Sequence, residues 1–221
     1  MSARAALGLV LAVLAVANVG RSTVVPSGWH LVANVALAAA VVAIGVLGGL
    51  RAPDLGLDPS TAGAGLRLGL AAAGVVAVVS VGIGVAAALI DAEPTARTDL
   101  SGATLLLRIL VVIPVGTVLV EELIFRGVLA GLLHRLTGEG AALLVGAVLF
   151  GLWHVFPAWR DSAGSATAGR VGAAVGTFAF TLAGGLVFGW LRSRSDSLVA
   201  PMLGHWATNT LPLAALWVAA R

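Results

Sequence analysis

The sequence contains no cysteine, no lysine and no tyrosine, and only 10 % of its 221 residues are charged. Without cysteine there is no disulfide, no thiolate nucleophile and no cysteine-based metal site. Without lysine, arginine is the only strong cation. The isoelectric point of about 11.3 therefore reflects scattered guanidinium groups. The net charge is only +3, so a nucleic-acid partner is not expected. A soluble domain carries about a quarter charged residues, and this chain carries less than half of that. No HExxH stretch occurs and no serine stands in a GxSxG context, which removes two further routes to hydrolysis.

What is plentiful is apolar. Hydrophobic residues make up 59 % of the chain and the mean hydropathy is +1.05. A bilayer core takes roughly 20 apolar residues in a helix. Seven stretches qualify: 5–25, 30–50, 66–90, 105–133, 141–156, 171–191 and 198–220. They predict an all-α, polytopic transmembrane helical bundle of about seven spans, eight if Pro212 divides the last block. The length suits one transmembrane domain over 1–221, with 1–104 supplying N-terminal membrane helices. The first block also resembles a signal peptide, with Arg4 ahead of it and "AVA" at 15–17. Further spans follow, so it is read as a retained first span.

The connections 51–63, 91–99, 134–140, 157–170 and 192–197 carry the polar, proline and glycine signals of loops. Glycines pair at four-residue spacing at Gly65/Gly69, Gly127/Gly131, Gly172/Gly176 and Gly185/Gly189, the pattern of closely packed membrane helices. The expected setting is a cell membrane crossed several times, with the lipid bilayer as partner. Six arginines against five on the two faces leave the orientation unset by the positive-inside rule. Abundant alanine, glycine and arginine without lysine suggest a GC-rich bacterial genome.

Ionisable groups inside a membrane cost several kcal/mol each and mark protein interiors or wet cavities. Five stand out: Glu121, Glu122, Arg126, His154 and His205. Arg108 lies near a span start, where a long side chain reaches the interface. Glu122 and Arg126 are four apart and share a helical face, which predicts a structural ion pair. Glu121 is turned about 100° from Glu122, which leaves it free for chemistry. His205 and Asn209 are again four apart. Counting about 1.5 Å per residue from the face of the 134–140 and 192–197 loops puts Glu121 at about 18 Å, His154 at about 20 Å, Asn209 at about 16 Å and His205 at about 10 Å. Three helices thus bring polar groups to one layer, as around a buried cavity.

A glutamate and a histidine can position and deprotonate a water. A second histidine and an amide can donate hydrogen bonds to a developing oxyanion. Glu121, His154 and His205 could equally hold zinc as three ligands, with water in the fourth position. Spacing alone does not separate the two schemes.

At this point the motifs are recognisable. "EELIFRG", "FGLWH" and "HWATN" resemble the EExxxR, FxxxH and HxxxN motifs of the CPBP family, the type II CAAX prenyl endopeptidases and their bacteriocin-processing or immunity homologues. "DLGL" at 54–57 resembles a weaker upstream feature of bacterial members. The resemblance covers about 105–211, which would be the catalytic core. It implies an intramembrane endopeptidase acting on a membrane-associated peptide or protein. In it Glu121 and His154 activate water, His205 and Asn209 stabilise the oxyanion, and Glu122 and Arg126 organise the site. A metal-independent glutamic mechanism is the preferred reading, because Asn209 is a weak metal ligand and an apt oxyanion donor. No cofactor is then required, and zinc is the alternative. Two other functions compete: a catalytically silent member acting as an immunity or scaffold protein, and a proton-coupled transporter.

Overall fold

The computed structural model describes residues 1–89 and 100–219. Among the described residues the chain is helical without strands. Seven long helices follow one another: α1 (Ala3–Thr23), α2 (His30–Leu47), α3 (Ala62–Leu89), α4 (Gly102–Thr137), α5 (Glu139–Asp161), α6 (Thr167–Ser195) and α7 (Val199–Ala219). Helices α1 to α6 are long and apolar enough to cross a membrane. In α7 the polar residues His205, Thr208, Asn209 and Thr210 dilute an otherwise apolar helix. Outward-facing residues are apolar too. Val75, Val78, Val81 and Ile83 of α3 are each more than 60 % exposed, as expected of a helix whose solvent is lipid rather than water.

The helices run further than the turn signals suggest. The 134–140 stretch is interrupted only at Gly138, whose φ of 85° ends α4 and lets α5 begin at once. Pro157, expected to open a loop, lies inside α5. A proline there leaves the carbonyl four residues back without its N–H partner. That carbonyl belongs to Trp153, and the Asn18 amide of α1 donates to it at 2.9 Å. The helix therefore continues to Asp161. The 192–197 stretch is likewise helical as far as Ser195. Pro212 does not divide α7, which is continuous over its described length. The 91–99 connection lies outside the described residues.

Helix α4 is wound wider than an α-helix over Arg108–Val112, Pro114–Leu119 and Leu123–Leu129, in π turns that close on the fifth residue. At that spacing the Ile109 carbonyl should receive the N–H of residue 114, but Pro114 has none. The Trp206 indole of α7 donates to it instead, at 2.9 Å. The Asn34 amide of α2 donates to the Gly116 carbonyl, also at 2.9 Å. Side chains from neighbouring helices thus hold the irregular stretch that precedes the two glutamates.

Two clusters make up the core. Ala6 and Val10 of α1 and Val41 of α2 pack with Ile124, Val128 and Leu129 of α4 and Phe150 of α5. Phe188 and Leu191 of α6 pack with Ala200 of α7, against Leu68 and Ala72 of α3. The glycine pairs divide into three kinds. A Cβ at Gly65 would lie 2.6 Å from Ser197 Oγ and one at Gly69 3.0 Å from Ala200 Cα, so this pair brings α3 onto α7. At Gly185 a Cβ would lie 2.9 Å from Ala147 Cα, so α5 and α6 meet there. Gly127 and Gly131, expected between helices, instead admit a loop. Their Cβ positions lie 3.5 Å from the Leu55 carbonyl and 3.2 Å from that of Asp54. Among the described residues, nothing lies within 4 Å of a Cβ at Gly172 or Gly176, and they serve no close approach there.

That loop joins α2 to α3 and contains "DLGL". The Asp54 carboxylate accepts from Arg135 of α4 at 2.8 Å, and Arg192 of α6 donates to the Asp54 carbonyl at 3.2 Å. Gly56, at φ 72°, turns the chain so that its carbonyl accepts from the Leu198 amide at 2.9 Å. Outside the spans, the exposed Asp58 carboxyl is held below its usual pKa by the Ser60 hydroxyl and then by the Ser60 amide.

Candidate active site

The two adjacent glutamates of α4 sit in a short α-helical stretch between π turns. Glu122 is fully buried, and its Oε1 accepts from Arg126 Nη1 at 2.9 Å. The same oxygen accepts from His205 Nδ1 of α7 at 2.8 Å. Glu121 points elsewhere. Its Oε1 lies 3.8 Å from His154 Nε2 of α5, and its Oε2 lies 3.8 Å from His205 Nε2. The separation of the two carboxylates is real, yet both meet one imidazole. His205 stands between them, with one ring nitrogen towards each. The expected brace of two residues is therefore a chain of four: Arg126, Glu122, His205 and Glu121.

Hydrogen bonds fix the imidazoles. His154 Nδ1 donates to the Phe150 carbonyl at 2.8 Å. A carbonyl can only accept, so the proton is on Nδ1, and neutral His154 presents a lone pair at Nε2. His205 is held at Nδ1 by a carboxylate, which leaves its Nε2 towards Glu121. Asn209 lies one turn further along α7, half-buried, and its side chain makes no hydrogen bond among the described residues. Glu121 is 13 % exposed at its side chain, and its Oε2 has no hydrogen-bond partner among the described residues.

Aromatic rings close the cluster. Phe150 meets the His154 ring edge-on at 4.7 Å, and the Arg126 guanidinium lies over its face at 4.1 Å. Phe188 of α6 stacks on His205 at 4.8 Å, nearly parallel, and lies 5.2 Å from the same guanidinium. A cavity of about 490 Å³ opens between α4, α5 and α6 beside His134 and Asp196 and reaches Phe125 and Arg126. Glu121, His154 and His205 are not among its walls.

The donors of Glu121, His154 and His205 are those of a three-ligand zinc centre. However, no three His, Asp or Glu side chains among the described residues are gathered as a metal's ligands would be.

The family model for type II CAAX prenyl endopeptidase Rce1-like proteins matches residues 103–211. Over these residues the chain is similar to the Rce1-like family. The match spans just under half of the sequence and contains α4, α5, α6 and most of α7. All six charged and polar residues of the cluster lie within it. No curated protein and no solved structure matches the chain. The matched description is that of a protease, and six helices of this chain are long and apolar enough to cross a membrane.

Sequence reasoning missed four side chains that shape the site. Asn18, Asn34 and Trp206 each donate to a backbone carbonyl of a motif-bearing helix. Two of those carbonyls face a proline at the spacing that removes their donor. That proline spacing, read together with uncharged polar residues inside apolar blocks, is the signal that could have found Asn18 and Trp206. Phe188 carries no such signal, being one apolar residue among many.

Proposed function

We propose that this chain is an intramembrane endopeptidase that hydrolyses a peptide bond of a membrane-associated protein or peptide through a water activated by Glu121 and His154. The observation that carries the reading is the gap between them. Glu121 faces two imidazole nitrogens at 3.8 Å, too far for direct hydrogen bonds and near enough for a water to bridge. With His154 neutral, its Nε2 and the carboxylate are both acceptors, so a water donating to each satisfies both. Glu121 takes one proton as the water oxygen attacks the scissile carbonyl carbon, and the carbonyl oxygen becomes an oxyanion. The proton then passes to the leaving nitrogen, as microscopic reversibility requires of a general base.

His205 lies between two carboxylates. With both ring nitrogens protonated, Nδ1 donates to Glu122 and Nε2 has a proton to offer the oxyanion. Asn209 adds an amide donor from the next turn of α7. Arg126 balances Glu122, and the doubly protonated His205 balances Glu121. On this reading 105–211 is the catalytic core of a single domain in a cell membrane, and the N-terminal helices brace it.

The test is to compare new peptide termini in membranes holding the wild-type chain or its Glu121→Gln variant. Termini dependent on Glu121 support the reading, and identical termini overturn it. Full activity after exhaustive chelation supports the metal-independent form. Loss on chelation with recovery on adding zinc would replace it.

A further inference from the structure

Phe188 touches both partners of one carboxylate oxygen. Glu122 Oε1 accepts from Arg126 and from His205. The Phe188 ring stacks on the imidazole of the second, at 4.8 Å and 19° between planes, and lies 5.2 Å from the guanidinium of the first. It is 6 % exposed and belongs to α6, which carries none of the three motifs. We infer that Phe188 is a positioning residue of the site: it fixes the plane of His205 so that Nδ1 stays on Glu122 while Nε2 faces Glu121. The inference rests on the hydrolytic reading of the cluster.

The geometry supplies the reason. An imidazole can turn about its own Cβ–Cγ bond, which takes Nδ1 off Glu122. Rotation would carry Nε2 away from Glu121 Oε2, which is 3.8 Å off and makes no hydrogen bond to hold it. A ring stacked on one face blocks the rotation. Phe150 meets the same imidazole edge-on at 6.0 Å and 89°, which bounds it from a second direction. Cationic groups also gain from lying over an aromatic face when water is excluded. The Arg126–Glu122–His205 chain has one buried atom without a partner on Arg126 and one on Glu122. A ring that excludes water from this chain keeps its charges directed at one another.

The experiment uses the full chain in lipid nanodiscs, labelled with ¹⁵N-histidine, with His205 assigned by its loss in His205→Gln. Phe188→Leu keeps most of the apolar bulk and removes the ring. The expected result is loss of the hydrogen-bonded Nδ1–H signal of His205 while the other histidine signals persist. On an identified peptide, kcat should fall about thirtyfold, the scale of a desolvated ring–cation contact, with KM within about twofold. Phe188→Tyr, which restores the ring, should restore both readouts. If the leucine variant does not fold, Phe188→Met takes its place with the same expectations. An unchanged Nδ1–H signal and kcat in the ring-less variant would overturn the inference. So would a tyrosine variant that folds but recovers neither. Should the wild-type chain cleave nothing, the hydrolytic reading fails, and the Nδ1–H signal still decides whether Phe188 holds His205.

Discussion

Three ionisable residues within six positions do two jobs on one helix. Glu122, with a single oxygen, joins Arg126 and His205, and all three are buried. Removing one member of a buried ion pair strands the other, at a cost of about 3–5 kcal/mol. Glu122→Gln is therefore expected to lower the melting temperature and the yield of folded protein. A melting curve matching wild type would remove the bracing role. Spacing alone put Glu122 with Arg126 and turned Glu121 away from both. It could not show that His205 reaches both glutamates. That contact depends on how α7 docks on α4, which no local pattern encodes. The imidazole has two usable ends, so residues on different helical faces can share it.

At the scale of the helix, irregular winding matters as much as length. Trp206 replaces the N–H that Pro114 lacks, and it sits next to His205 in the chain. Trp206→Phe leaves the Ile109 carbonyl without a donor, and a buried group so stranded costs about 1–3 kcal/mol. The expected outcome is a lower melting temperature together with slower cleavage, since the same contact registers α4 against α7. Stability unchanged within error would show that the carbonyl finds another donor. The glycine pairs give a contrast. Gly185→Val pushes a side chain into the Ala147 backbone and should destabilise by at least about 1–3 kcal/mol, as overpacking does. Gly176→Ala meets open space and should be neutral or stabilising by about 0.4–1 kcal/mol. Thermal melts of the two variants check both. The four glycine pairs look alike in sequence. Only the packing tells which of them face a helix, a loop or nothing.

For the whole molecule, the apolar blocks were legible because a bilayer demands them. Seven expected spans became seven helices, with ends that moved by several residues. The moves have causes. Asn18 rescues α5 beyond the position where Pro157 would end it, and a single glycine suffices between α4 and α5. The family match begins at α4, yet the site leans on what precedes it. Asn18 and Asn34 donate into α5 and α4, Val10 and Val41 join the α4 core, and α3 packs along α7 through Gly65 and Gly69. A chain restricted to 103–211 is therefore expected to aggregate or to remain protease-sensitive in detergent, as checked by size exclusion and limited proteolysis. A compact, active fragment would show that the first three helices are dispensable.

The central claim is that Glu121, rather than its neighbour, activates the water. The most direct measurement is the cleavage rate of an identified membrane peptide in nanodiscs, for wild type and Glu121→Gln, with melting curves of both. A general base is worth about 10²–10⁴ in rate. Glu121→Gln is expected to lose at least about a hundredfold in rate, with melting temperatures that coincide. Cleavage by Glu121→Gln at the wild-type rate would contradict it.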